Sequence, residues 1–250
     1  MPVPSSLEAI VSGEHRRAEN IARNVSRHPV ETLEFFGLKP DMTVVEVLPA
    51  MGWYTEIIAP YLAERGRLYA AHFSPDGKLP YMARVLEYFE KNINKRPEIF
   101  GRITVRHINP PDEMTIAPPG TADMVLTFRN VHNWVMAEDE SDYFAAFSRA
   151  LKPGGVLGIV DHRAPADASM EFMRRSGYVT EAYVNELALN AGFELGASSE
   201  LNANPSDTAD YAKGVWALAP SFAFGDEDRE KYTAIGGSDR MTLKFVKPLE

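Results

Sequence analysis

Four of the six histidines, His72, His107, His132 and His162, fall near the carboxyl ends of predicted strands. Imidazole titrates near neutral pH and can take a proton from a hydroxyl or an amine, so histidines at strand ends suit general base catalysis. His162 follows Asp161 directly, and His132 lies in the run Phe128-Arg129-Asn130-Val131-His132-Asn133-Trp134, the densest stretch of chemically useful side chains. Arg129 has the forked geometry to clamp a carboxylate or a phosphate. A structural alternative pairs Arg129 with Glu46 or Asp161 and uses Trp134 to cover the core. His132, Asp161 and His162 also form the two-histidine, one-carboxylate set of an open metal site. Neighbours on a strand such as Asp161 and His162 point to opposite faces, which a turn at the strand end would have to relieve.

These residues need strands to carry them, and the chain alternates strand and helix. Residues 6–26 read as helical and charged, and a second short helix covers 30–36, closed by Gly37. Strands follow at 43–48, 67–73, 103–108, 122–128, 156–161, 193–199 and 241–246. Residues 68–71 (LYAA) give the near-continuous apolar run of a strand buried on both faces. Helices are predicted at 53–65, 80–94, 141–150 and 178–191, and residues 202–237 form an irregular insertion between the last two strands. The pattern predicts an α/β fold: a doubly wound, mostly parallel seven-stranded sheet with a terminal antiparallel strand. In such sheets ligands bind outside the carboxyl ends of the strands, and strands four and five should bring His132 close to Asp161 and His162.

Residues 43–58 (TVVEVLPAMGWYTEII) are a β-branched strand ending in an acid, a Pro/Gly turn and a helix; residues 151–155 (LKPGG) lead into a later apolar strand. With these the chain resembles the class I S-adenosylmethionine (SAM)-dependent methyltransferases, over roughly residues 30–195. It is most similar to an uncharacterised bacterial branch carrying Glu-x-x-Pro-x-x-Gly-Trp-Tyr-Thr in place of the glycine-rich loop. That likeness extends to residues 129–134 and 238–241. The resemblance implies a Rossmann-like fold, SAM as cofactor and an N-terminal helical segment (1–36) ahead of the methyltransferase-like domain (37–250). It makes Glu46, Pro49, Ala50, Gly52, Tyr54, Thr55, His72, Phe73, Asn109, Phe128, Arg129 and Asn130 cofactor-binding residues.

The family pattern of this loop is acid-x-Gly-x-Gly-x-Gly, and here only Glu46 and Gly52 match, with Leu48 and Ala50 at the other glycine positions. Glycines serve such loops by reaching positive φ and letting backbone approach the ligand. Glu46 is expected near the ammonium of the cofactor's amino-acid end and Gly52 at the backbone approach point. Asn109 falls where the family's post-strand-three acid contacts adenine. His72 stands where an acid would accept both ribose hydroxyls; a neutral imidazole has a single acceptor, and Asp76 is the nearby substitute. The implied reaction is in-line displacement at a sulfonium methyl, with His132 or the Asp161-His162 pair removing the proton of a hydroxyl- or amine-bearing acceptor. The rival reading keeps the sheet as a binding or regulatory protein that has lost the cofactor.

Composition narrows the partners. The formal net charge is −9 and the 26 Lys and Arg residues are scattered, so a nucleic-acid substrate is disfavoured and a small-molecule acceptor preferred. There are no cysteines, which removes disulfides, thiolate nucleophiles and Cys-ligated metals. The first residues carry no apolar core of a signal peptide, and no apolar run approaches a membrane span, so a cytoplasmic location is expected. Asn109-Pro110-Pro111-Asp112 differs from the Asn-Pro-Pro-aromatic motif of amino-group methyltransferases in its acidic fourth residue and its place before strand four. Tyr178, Tyr183 and Trp216 are candidates to roof an acceptor pocket.

Overall fold

The computed structural model describes residues 6–77 and 79–249, so residues 1–5 of the predicted N-terminal segment lie outside the described residues. Seven strands form one sheet: β1 Thr43–Val47, β2 Arg67–Phe73, β3 Ile103–Ile108, β4 Ala122–Phe128, β5 Leu151–His162, β6 Glu194–Ser199 and β7 Arg240–Val246. Their order is β3-β2-β1-β4-β5-β7-β6, with β7 antiparallel to both its neighbours and the remaining pairs parallel. The chain winds outward from β1 to β3, then returns to place β4 on the other side of β1. The crevice between the tips of β1 and β4 is therefore the topological switch point.

Alternate residues of each strand feed opposite layers. Val44, Leu68, Met124, Leu126 and Val160 pack with the N-terminal helices and helix Thr55–Leu62. Val45, Val47, Tyr69, Val125, Leu157 and Leu243 pack with helices Val131–Ala137, Glu140–Ala150 and Glu181–Asn190 on the other face. Helix Pro29–Phe36 lies close on the sheet because β5 has glycine beneath it. A Cβ at Gly158 would fall 2.6 Å from Leu126 and 2.9 Å from the Phe36 ring.

Several boundaries differ from the sequence reading for identifiable reasons. The predicted helical stretch 6–26 is two short helices, Leu7–Val11 and Ala18–Ile21, followed by the 3-10 turn Asn24–Ser26. Arg16 staples the bends between them, donating to the Val11 carbonyl at 2.5 Å and to Asn24 Oδ1 at 2.9 Å. Residues 151–155 belong to β5 instead of a turn ahead of it: Leu151 pairs with Ala122, and the register slips before Val156 pairs with Met124. Predicted helix 53–65 is shorter, Thr55–Leu62, because Trp53 and Tyr54 form the turn that precedes it. Helix 178–191 starts later, at Glu181, where Thr180 caps it by accepting from the Tyr183 amide at 3.2 Å. Helices Val131–Ala137 and Met170–Ser176 were not anticipated; both are only seven residues long. The stretch 202–237 does lie between β6 and β7. No described helix is long and apolar enough to cross a membrane.

Candidate functional site

The loop after β1 keeps a glycine-loop backbone without the glycines. Leu48, Ala50 and Gly52 have φ of 46°, 52° and 85°, so each takes the left-handed conformation at the position where the family pattern has glycine. Holding an L-residue there costs about 1–2 kcal/mol. Leu48 is anchored by burial in the core with Val45, Val47 and Tyr69. Ala50 is exposed, so its methyl group does not plug an internal void. Gly52 is favoured by its φ of 85° and by close packing, since a Cβ would meet the Phe89 ring at 3.2 Å.

Glu46 is 2% exposed and accepts a hydrogen bond from Thr55 Oγ1 at 2.6 Å. Burial pushes its carboxyl up to about 7, against the Thr55 hydrogen bonds that pull it down. Pro49 is buried, and Tyr54, at the foot of the next helix, stacks on Phe128 of β4 with ring centroids 3.5 Å apart. Asn130 crosses the switch point, its amide donating to the Val47 carbonyl at 3.0 Å and to Thr127 Oγ1 at 3.1 Å.

His72 and Phe73 end β2, and the His72 ring is wholly buried against Phe89. Its Nδ1 accepts from the Phe73 amide at 2.8 Å, which leaves Nε2–H to donate to the Ala50 carbonyl at 3.0 Å. Burial pushes this imidazole down to about 4, so it is neutral. Both nitrogens are engaged, Nδ1 with the end of β2 and Nε2 with the loop after β1, so in this arrangement neither faces a ribose hydroxyl. Asp76 instead lines an open cavity of about 600 Å³ beyond the ends of β2 and β3, beside His107 and Asp112. Asn109 is tied through its backbone to Glu113, and no hydrogen bond joins it to the loop after β1. His107 is exposed on β3, opposite His72 in the β2–β3 register and 3.4 Å from Glu90, and it does not join His132 and His162.

The remaining two histidines converge. His132 sits in the first turn of helix Val131–Ala137, and its Nδ1 lies 2.8 Å from Asp161 Oδ1. The Asp161 carboxylate also accepts from the His162 amide at 2.7 Å and from the His132 amide at 3.4 Å. Three donors orient a wholly buried acceptor, and the carboxylate fixes the tautomer of His132: Nδ1 carries the proton and Nε2 the lone pair. His162 Nδ1 lies 2.5 Å from Ser238 Oγ, and the two imidazole rings are 4.8 Å apart. His162 is held well below the usual histidine range by burial first, then by His132, Arg129, Arg240 and Arg27. Neither Nε2 atom has a hydrogen-bonding partner among the described residues. The facing atoms of His132, Asp161 and His162 lie within 4.8 Å of one another, close enough for one metal ion. The donor set fits an ion less well, since Asp161 already receives three hydrogen bonds.

Two of the three expected roofing aromatics reach this centre. Trp216 lies edge-on to His132 at 6.4 Å, and Tyr178 edge-on to His162 at 6.1 Å. Tyr183 instead donates to Glu140 at 2.5 Å. Arg129 takes φ of 63° after β4 and has no carboxylate within 4 Å among the described residues, so the alternative pairing with Glu46 or Asp161 is not formed. Burial, with Arg23 and Arg240 adding, pushes it down to about 10. Along the sequence, Ser238 and Arg240 enter only as part of the family likeness, and nothing singles out Arg27. The pairing of His162 with Arg240 in the β5–β7 register brings Ser238 and Arg240 here.

No family model matches the chain, and no curated protein matches it. Solved structures are similar in fold. A SAM-dependent methyltransferase from Aquifex aeolicus aligns over 96% of this chain and 98% of its own, with a TM-score of 0.61 and 16% identity. The cyclase SpnF aligns over 96% and 86%, with a TM-score of 0.62 and 14% identity. Geranyl diphosphate C-methyltransferase from Streptomyces coelicolor A3(2), solved with Mg2+, geranyl diphosphate and S-adenosyl-L-homocysteine, aligns over 99% and 90%, with a TM-score of 0.58 and 15% identity. At these identities the likeness establishes the class I methyltransferase fold.

Proposed function

We propose that this chain is a SAM-dependent methyltransferase acting on a small hydroxyl- or amine-bearing acceptor, with His132 as general base. The observation that carries the reading is the loop after β1, which holds left-handed backbone at residues 48, 50 and 52 although two of the three are not glycine. Left-handed backbone at non-glycine residues concentrates at ligand clamps and active sites. Solved structures of the same fold that are named methyltransferases add support.

The residues fit SAM with one substitution. Residues 49–52 would cradle the amino-acid end beneath Glu46 and Thr55, Phe128 to Asn130 would line the opposite wall, and Asp76 would take the ribose hydroxyls in place of His72. When bound, SAM supplies an electrophilic sulfonium methyl. His132 Nε2 accepts the acceptor's proton, and Asp161 stabilises the imidazolium that results, while the neutral His162 adds no competing charge. Trp216 and Tyr178 keep water from the pair of rings.

One set of observations favours a second reading, a methyltransferase-like binding protein. Glu46 is sealed, Tyr54 stacks on Phe128 and Asn130 bridges the switch point. The same fold in SpnF goes by the name of a cyclase, so fold alone does not fix chemistry. Isothermal titration with SAM and its demethylated product separates the two. Micromolar affinity is expected; no heat at millimolar ligand would sink the methyl-transfer reading.

A further inference from the structure

A cavity of about 340 Å³ opens beside the histidines, and five arginines line it: Arg23, Arg27, Arg129, Arg229 and Arg240. They come from the 3-10 turn region, the tip of β4, the insertion and the start of β7, and no acidic residue shares the wall. Five positive charges gather here in a chain whose formal net charge is −9.

None of the five has a carboxylate within 4 Å among the described residues, whereas two other arginines of low exposure do have one. Arg163, 20% exposed at its side chain, is paired with Glu181, Glu200 and Asp239. Arg16, fully buried at its side chain, has Glu56 at 3.8 Å. Arg27, by contrast, is 6% exposed and its guanidinium rests only on the Trp53 ring, 4.4 Å from the centroid. Arg240 is 7% exposed and donates only to the Ser238 and Ser26 carbonyls. The guanidinium of Arg129 makes no hydrogen bond to any described residue. Buried cations without counter-charge are costly unless a ligand supplies it. Their mutual repulsion is visible in Arg27, which burial first, then Arg129 and Arg23, holds well below the usual arginine range.

We propose that this cavity binds a phosphate or diphosphate group of the acceptor and so sets the acceptor's reactive end at His132. The shared wall carries the second half: Ser238 lines the cavity and holds His162 at 2.5 Å. Forked guanidinium groups match phosphate oxygens bidentately, and five charges exceed what one carboxylate would balance. Phe222 and Pro220 give the cavity an apolar lip for the organic part of the molecule. The assignment to the acceptor rests on the methyl-transfer reading; the anion site does not.

The test is titration calorimetry of the whole chain at low salt with inorganic phosphate, pyrophosphate and succinate, with SAM titrated separately. Pyrophosphate should bind more tightly than succinate, and Arg27→Gln and Arg129→Gln should each weaken it by about tenfold or more. Arg129→Gln keeps the test open if Arg27→Gln does not fold, since the Arg129 side chain has no hydrogen bond to lose. No heat with phosphate or pyrophosphate at millimolar concentration would overturn the proposal, as would affinity unchanged in Arg129→Gln or succinate binding as tightly. Pyrophosphate binding without SAM binding leaves the anion site standing while the methyl-transfer reading falls. Displacement of pyrophosphate by SAM would overturn the assignment to the acceptor, because the cavity would then serve the cofactor's carboxylate.

Discussion

The tips of β2 and β5 both carry a buried histidine, yet the two regions use it in opposite ways. His72 has both ring nitrogens satisfied by backbone groups, the Phe73 amide and the Ala50 carbonyl. His162 and its neighbour His132 each spend one nitrogen on a side chain and leave Nε2 without a partner. Residue type and strand-tip position are shared, and unspent hydrogen-bonding capacity is what separates a clamp from a reactive group. The crevice between them divides likewise. Between the tips of β1 and β4 it is closed by the stack of Tyr54 on Phe128, and on the β4–β5–β7 side it opens into a cationic cavity.

Replacing each histidine should break the comparison most clearly. His132→Ala is expected to lower turnover by about 10²–10⁴-fold, the usual worth of a general base, with SAM affinity nearly unchanged. Equal losses in turnover and affinity would remove the base role. His72→Ala should instead cost roughly 3 kcal/mol of stability in urea unfolding, since it orphans the Ala50 carbonyl and the Phe73 amide and leaves a void against Phe89. A loss below about 0.5 kcal/mol, the ordinary range of surface substitutions, would mean the ring is no clamp.

Acidity sharpens the contrast further. The folded His72 titrates at about 4 against 6.5 for the free side chain, so its contribution falls as the pH drops from 6.5 to 4, where the unfolded chain alone takes the proton. Glu46 titrates at about 7 against 4.5, so its contribution is fully present below 4.5 and is lost as the pH rises through 7. The two slopes oppose each other between pH 4.5 and 6.5. Glu46→Gln should unmask the histidine slope, so that the variant loses roughly 2 kcal/mol more than the parent on acidification across that window. Parallel urea-derived stabilities for the two proteins would refute this. The smallest effect belongs to the loop: Ala50→Gly relieves the left-handed backbone at φ of 52° and should gain up to about 1 kcal/mol in thermal unfolding. A clear loss of stability would mean that the alanine methyl makes a contact the exposed position does not suggest.

Much of the site was legible because it is local. The acid-to-glycine spacing of residues 46–52, the adjacency of Asp161 and His162, and the histidine three residues past Arg129 can all be read along the chain. The chain alone was silent where a tertiary partner decided the outcome. His72 looked available until the fold brought the Ala50 carbonyl to it across 22 positions. Leu48 and Ala50 stand at glycine positions of the family pattern, and the backbone turns as it would with glycine and sends Leu48 into the core.

Alternation of β-branched runs and amphipathic helices, by itself, determined a doubly wound sheet and placed reactive side chains at its carboxyl edge, because side-chain periodicity and strand burial are properties of neighbouring residues. The sequence also determined an acidic chain with no concentrated basic tract. Only the tertiary structure decided that Arg23, Arg27, Arg129, Arg229 and Arg240 face one cavity, since they are scattered from one end of the chain to the other. Charge at a site depends on which distant segments the fold brings within a few ångströms, and no count along the chain carries that information.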